Sequence, residues 1–308
     1  MQHPETWSVI LNPSAKGGNA AKSWKKLEKQ LQATQVSYKL HLTQRSGDGT
    51  RIAHQIIQSG DRKILVVGGD GSLNEVIQAI IEQEIVPSTE IQVAIFAAGT
   101  GNDFVKTWKI PLNIEPFVKM LKQGNVAIQD AGVIQYLNIN KTNQYFINVA
   151  GIGFDALVAY RANEAKKSGK SGLLTYISAL IGSLKAYQAV GCEVEIDGKP
   201  SSFPVFTVLA GIGKYAGSGM KLVPDAIPND GLFHVTAVRQ ISKMKIVRNL
   251  GKLFSGRFTH FKEVHVTTAK VVRVIPSSQL FVEADGESFG SGAVEFSILP
   301  AQIKITIP

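Results

Sequence analysis

Up to about residue 130, short apolar runs alternate with stretches of helical period. Trp7–Leu11, Val36–Leu42, Lys63–Val67 and Ile91–Phe96 read as strands. The chain to about Leu31, Gly47–Ser59 with Ile52, Ile56 and Ile57 inward, the stretch after Ser72 and segments to about Gln123 read as helices. Alternating strand and helix predicts a mainly parallel, Rossmann-like α/β sheet covered on both faces. Such sheets bind ligands outside the carboxyl ends of their strands. From about Val126 the rhythm changes. Tyr145–Val149, Cys192–Ile196, Phe203–Ala210, Phe233–Val238, Val264–Val266, Val271–Ile275 and Leu280–Glu283 read as strands, with only two helices, Ser171–Ala189 and Ser242–Phe254. This predicts a mostly antiparallel, β-rich, sandwich-like second domain. The expected domains are 1–133 and 134–308, with the extreme C-terminus free to return to the first.

Three loops fall at carboxyl ends of the first sheet. In Lys63–Glu75 an apolar run ends in Gly68, Gly69, Asp70 and Gly71, and a helix start follows. The glycines let backbone approach a bulky anion, and a helix N-terminus adds N–H groups and dipole. Ser72 and Glu75 have capping-box spacing, with Leu73, Val76, Ile77 and Ile80 on one face. A phosphate cradle and a sharp βα turn both fit, with Asp70 either meeting a metal or holding the loop. Gly99, Thr100, Gly101, Asn102, Asp103 and Phe104 supply hydroxyl, amide and carboxylate groups, or an Asx-type turn. Asn12, Pro13, Ser14, Ala15 and Lys16 fit a nucleotide contact or a polar turn, and Thr43 sits at the same edge. In the second half, Asp225–Leu232 is an acidic turn whose Asp230 and nearby carbonyls suit a hydrated Mg²⁺. Glu283–Glu287 reads as a solvated hairpin tip, or as carboxylates close enough to raise one pKa and yield a general base. His41, His234 and His265 alternate within strands and read as structural or exposed.

The chain has 308 residues, 44% of them hydrophobic, enough for two ordinary domains. Its formal charge of +9 points to an anionic partner. Aromatics are 8% and the bases are scattered, without a nucleic-acid motif. The densest cluster, Lys166, Lys167 and Lys170, reads as a solvated helix end. The single cysteine, Cys192, excludes an intramolecular disulfide and a cysteine zinc site and fits a reducing cytoplasm. Met1–Thr6 shows no signal-peptide pattern before the strand at Trp7. No run of ~18 apolar residues predicts a transmembrane helix. The nearest stretch, Gly172–Tyr187, is interrupted by Ser178, Ser183 and Lys185. Its stripe of Leu173, Leu174, Ile177, Leu180, Ile181 and Leu184 reads as core packing, with an entry wall at a membrane as the sharper alternative.

In order along the chain, these segments resemble the diacylglycerol kinase catalytic-domain superfamily, specifically its soluble, YegS-like bacterial lipid kinases. The resemblance rests on Asn12–Ala15, Thr43, Gly68–Glu75, Gly99–Phe104, Gly153-Phe154-Asp155-Ala156, Pro224-Asp225-Ala226, Asn229-Asp230-Gly231 and Asp285-Gly286-Glu287. It covers nearly the whole chain. Ser72 stands where threonine is usual, and Gly217-Ser218-Gly219 is a thin version of a glycine run. The resemblance implies an ATP-binding domain, a lipid-binding domain and a cleft between them. It implies ATP contacts at Asn12, Pro13, Ser14, Ala15, Lys16, Thr43, Gly68, Gly69, Asp70, Gly71, Ser72, Leu73, Asn74, Glu75, Thr100, Gly101, Asn102 and Asp103. Mg²⁺ would sit on Asp230 with backbone oxygens of Ile227 and Leu232. Glu287 would be the base, assisted by Asp285, with Asp70 at the metal–phosphate cluster. The implied acceptor is a lipid met peripherally at the inner face of the membrane by a cytoplasmic enzyme, with a homodimer left open and no nucleic acid involved. A soluble-substrate kinase related to NAD kinase and a non-catalytic nucleotide or lipid sensor on the same fold are the rivals.

Overall fold

A computed structural model describes residues 6–15, 17–139, 141–167 and 173–308. Lys16 and Lys170 lie outside the described residues, as do the side chains of Lys166, Lys167 and Leu173. The chain forms two compact units, 1–129 with 301–308, and 130–300.

The first unit runs β1 (Trp7–Leu11), α1 (Asn19–Ala33), β2 (Tyr38–Leu42), α2 (Asp48–Gln58), β3 (Lys63–Gly68), α3 (Asp70–Glu82), β4 (Gln92–Ala97), α4 (Asp103–Trp108) and α5 (Ile114–Gln123). The strands are parallel in the order β2-β1-β3-β4. The central strands β1 and β3 are buried along nearly their whole length, as a sheet with two covered faces requires. Register sets Leu11 beside Leu42 and Val67, and Gly68 beside Ala97. Asn12, Thr43, Gly69 and Ala98 therefore start their loops in one row. The last residues of the chain belong here too. Lys304 and Ile305 pair in parallel with Gln92 and Val93, and Gln92 donates a side-chain bond to Thr306 Oγ1 at 3.0 Å.

The next strand, β5 (Val126–Tyr136), crosses the boundary between the units. The second unit continues with β6 (Gln144–Phe146), β7 (Val149–Gly153), α6 (Phe154–Lys167), α7 (Leu173–Ala186), β8 (Val190–Ile196), β9 (Lys199–Gly211) and β10 (Phe233–Arg239). It ends with α8 (Lys243–Arg248), α9 (Leu250–Ser255), β11 (Val264–Ala269), β12 (Val271–Pro276), β13 (Phe281–Ala284), β14 (Glu287–Ser291) and the first part of β15 (Val294–Thr306), whose last residues belong to the first unit. Its pairs are antiparallel: β14-β13-β7-β9-β8-β12, with β10 and β11 extending from β9. Phe146 stacks on Phe233 at 5.6 Å and meets Phe296 edge-on, which centres the core between strands.

Several elements differ from the hydrophobic pattern. The single strand expected over Tyr145–Val149 is two, β6 and β7. The helix expected over Ser242–Phe254 breaks at Asn249 into α8 and α9. Helix α6 is not marked by the pattern, because Phe154, Ala156, Val158, Ala159 and Ala162 are buried on several sides and leave no clean apolar stripe. The strands β5, β14 and the long β15 are not marked by the pattern either. Cys192 is a packed thiol, buried and pushed up to about 11 by that burial.

Candidate functional site

In the first unit, one row of loops is tied together by its own polar groups. Asn12 Oδ1 accepts the Ser14 N–H at 3.1 Å, an Asx turn, while Asn12 Nδ2 donates to Ser72 Oγ at 3.1 Å. Gly68 and Gly69 are glycine for close approach. A Cβ on Gly68 would lie 2.6 Å from Ser72 Oγ, and one on Gly99 would lie 2.4 Å from Gly69 Cα. Neither Gly68, Gly69 nor Gly71 has positive φ; Gly69 is extended at φ −107°. The Gly68–Glu75 and Gly99–Phe104 loops thus touch backbone to backbone. Gly99→Ala is therefore expected to cost about 1–3 kcal/mol or more through overpacking. An unchanged midpoint in urea would refute that.

Asp70 holds this contact from the other side. Its carboxylate accepts the N–H groups of Asp103 and Phe104, each at 3.1 Å, and so caps α4 with a negative charge. Asn102, at φ 51°, exchanges bonds with Gly99 at 3.1 Å in both directions. Asp103 is buried and pairs with Lys106 at 2.7 Å. Thr100 is exposed, Gly101 half-buried, and Thr43 is buried with its N–H on Leu11 O at 3.0 Å. Leu73 and Asn74 turn into the core, Asn74 accepting from Gln78 at 3.1 Å.

The capping box expected from Ser72 and Glu75 does not form. Helix α3 starts three residues earlier, at Asp70, with Gly69 as N-cap and no side-chain cap. Glu75 instead reaches α2, accepting the N–H of Gly47 at 2.8 Å and of Gly49 at 2.9 Å. The physical reason is that α2's N-terminus carries unpaired donors and a positive dipole end, which a whole carboxylate satisfies.

In the second unit, Asp285 and Gly286 are the two central residues of the β13–β14 hairpin, both at positive φ (50° and 83°), as a type I′ turn demands. The tip is half-buried and tied down by hydrogen bonds, not a freely solvated one. Asp285 accepts the N–H groups of Ile147, Asn148 and Val149 at 2.9–3.2 Å. Glu283 accepts the Gly286 N–H at 2.9 Å. Asn163 of α6 donates to Gly286 O at 3.2 Å and to Glu287 Oε2 at 3.1 Å. Every residue of the Asp285-Gly286-Glu287 turn is therefore held, and Glu287 stays half-buried at the start of β14.

Beneath the turn lies a group the sequence did not signal. Asp155 and Glu283 are buried, and each is pushed up, first by burial and then, for Glu283, by the Asp155 charge; Asp155 reaches about 6. Thr207 donates a short hydrogen bond to Asp155 Oδ1. Asp155 Oδ2 meets no hydrogen-bond donor among the described residues and lies over Gly151, the β-partner of Glu283. Two carboxyls without a cation between them satisfy each other by sharing a proton. The larger charge acting on Glu283 is thus that of Asp155, and Asp285 of the same turn pushes it further in the same direction. Asp155 and Thr207 also form the polar end of an apolar cavity lined by Phe154, Tyr176, Leu180 and Met220. The α7 stripe splits accordingly: Leu180 and Leu184 are buried, whereas Leu174 is 83% exposed.

Around Asp230, Asp130 steadies the turn by accepting the Gly231 N–H at 2.7 Å. Asp230 Oδ1 accepts the Leu232 N–H at 3.1 Å, and Oδ2 lies 3.0 Å from His234 Nε2. His234 reads as structural or exposed from its place in a strand, yet it lies four positions after Asp230 and the turn brings the two side chains together. No group of three or more His, Cys, Asp or Glu with metal-binding geometry exists among the described residues. The donor set of one exposed carboxylate plus turn carbonyls fits a largely hydrated Mg²⁺ completed by phosphate oxygens, and does not fit a closed protein cage.

A family profile described as the diacylglycerol kinase catalytic domain matches residues 6–134, and one described as the YegS C-terminal NAD kinase beta sandwich-like domain matches 148–307. A probable lipid kinase, YegS-like, of Yersinia enterocolitica is 26% identical over 300 residues, 97% of this chain and 96% of that protein. A diacylglycerol kinase of Mycobacterium tuberculosis is 28% identical over 264 residues, 85% and 82% of the two chains. The crystal structure of a putative diacylglycerol kinase from Bacillus anthracis matches with a TM-score of 0.78 at 23% identity, over 100% of this chain and 98% of that one, a likeness of fold. With its C-terminal profile spanning more than half of its length, and the catalytic-domain profile preceding it, the chain belongs to the family that joins a diacylglycerol kinase catalytic domain to a YegS-type β-sandwich-like domain.

Proposed function

We propose that this chain is an ATP- and Mg²⁺-dependent lipid kinase that transfers the γ-phosphate of ATP to a lipid hydroxyl, with a diacylglycerol-like acceptor and a phosphatidate-like product. The observation that carries the reading is the hairpin turn, in which Asp285 is spent on three backbone amides and Asn163 orients the Glu287 carboxylate. In-line phosphoryl transfer needs a positioned base and charge neutralisation at the phosphates. Glu287 takes the proton of the acceptor hydroxyl, and Asp285 holds the turn that aims it. The loop row at Asn12–Lys16, Thr43, Gly68–Glu75 and Thr100–Asp103 supplies amides and hydroxyls to the nucleotide phosphates. Leu73 and Asn74 contribute through the fold of α3, since their side chains are buried. Asp70 fixes the geometry of that row by capping α4. Asp230, with the carbonyls of Ile227 and Leu232, would hold Mg²⁺, whose charge would offset that of the phosphates. The lipid acceptor places the work at the cytoplasmic face of a membrane.

The test is labelled phosphate transfer from ATP with Mg²⁺, offering diacylglycerol in mixed micelles beside NAD. Labelled lipid with unlabelled NAD is the expected outcome. Labelled NAD would make this a soluble-substrate kinase, and ATP binding without transfer to either would favour a sensor. Asp230→Ala is expected to raise the Mg²⁺ concentration needed for half-maximal rate by about tenfold or more. An unchanged Mg²⁺ titration would remove Asp230 from the metal site.

A further inference from the structure

Residues 231–262 hold seven Lys or Arg and no Asp or Glu, so about a tenth of the chain carries most of its net charge of +9. Two short helices, α8 and α9, lie at the centre of this segment. Their two sides differ. Ile246 and Leu253 turn inward and, with Phe258 and Phe261, wall the apolar cavity beside Asp155. Met244, Val247 and Phe254 turn outward and are 57%, 46% and 39% exposed. Cations are interleaved among them. Lys245 and Lys252 both sit over the Phe261 ring, at 4.5 and 4.8 Å, which ties the helices into one surface. Arg248 and Arg257 are exposed and have no hydrogen-bond or ion-pair partner among the described residues.

Lys245 is paired with Glu263 at 2.6 Å, so Arg248, Lys252 and Arg257 are the cations left facing outward, and exposed apolar side chains set among them are poorly placed in water. They suit the boundary between anionic headgroups and acyl chains, where each side chain finds its own solvent. A nucleic acid would match the charge but would gain nothing from Met244, Val247 and Phe254. We infer that the α8–α9 surface, centred on Met244, Val247, Arg248, Lys252 and Phe254, docks on an anionic lipid bilayer. It does so with one side of a single layer of structure, the other side of which walls the cavity. The purpose of this docking rests on the lipid-kinase reading, whereas the docking itself does not.

The experiment is vesicle sedimentation of the full chain with phosphatidylcholine alone and with about 30% phosphatidylglycerol added. Arg248→Glu with Lys252→Glu should weaken binding to the anionic vesicles roughly thirty-fold, at ~5-fold for each basic residue lost. Val247→Ser with Phe254→Ser should weaken it several-fold, at low and at high salt. Lys25→Glu with Lys29→Glu, on exposed positions of α1, changes net charge equally and should leave binding within about twofold of wild type. Unchanged melting temperatures establish that each variant is folded. The inference is overturned if the α8–α9 variants bind like wild type or if the α1 variant loses as much. Loss by the charge variant alone, with the serine variant unaffected, would mark a general polyanion surface and also overturn it. If docking behaves as expected and no lipid is phosphorylated, the kinase reading fails and the docking surface stands.

Discussion

Glu287→Gln is expected to lower turnover by about 10²–10⁴-fold, the usual contribution of a general base, and to leave folding and ATP affinity unchanged. The geometry separates these effects. Asn163 Nδ2 donates to Glu287 Oε2 at 3.1 Å, and a glutamine can offer its carbonyl oxygen to the same donor. The three amides that fix the turn bind Asp285, which the substitution leaves alone. What is lost is the ability to take a proton from the acceptor hydroxyl. The measurement is the single-turnover rate at saturating ATP, with a melting curve alongside. Asn163→Ala gives the comparison: the carboxylate remains but is less well aimed, and the loss should be smaller, about tenfold. Turnover of Glu287→Gln within a few-fold of wild type would remove Glu287 from the chemistry.

The first unit was the more legible half of the chain. Its strands are short, apolar and punctuated by glycine, so period and turn chemistry agree. What the sequence could not say was why the glycines are there. Gly69 and Gly99 are far apart in the chain, and only the β3–β4 register brings them into contact. Glu75 misled because spacing describes one helix at a time, whereas its carboxylate satisfies the end of another. The second unit was less legible for the same reason on a larger scale. Asp155 sits on a helix without an apolar stripe, and Glu283 on a strand where a charge reads as exposed. Each is explicable only with the other, and 128 residues of sequence separate them.

That pairing predicts a stability that falls as pH rises. Asp155 and Glu283 are both pushed up, mainly by burial, so the folded chain holds a proton that the unfolded chain releases near the ordinary carboxyl range of about 4. Below that range both states are protonated and the pair is neutral in its effect. Above it, stability is lost progressively as pH rises through the folded value, about 6 for Asp155 and higher in direction for Glu283. Among the described residues, Tyr187 and Asp285 also act on the pair, and neither supplies positive charge. The loss between about pH 5 and pH 8 should be on the order of a few kcal/mol. Glu283→Gln should flatten it. Its amide can donate to Asp155 Oδ2 and its carbonyl can still accept the Gly286 N–H, so a fixed hydrogen bond replaces the shared proton. Gly151→Ala makes the complementary case, because its Cβ would stand 1.8 Å from Asp155 Oδ2 and force the carboxyls apart. That variant should be destabilised by ~3 kcal/mol or more at every pH. Urea midpoints across that range decide the matter. If wild type and Glu283→Gln trace parallel curves, no proton is shared, and the turn that carries Glu287 rests on Asp285 and Asn163 alone.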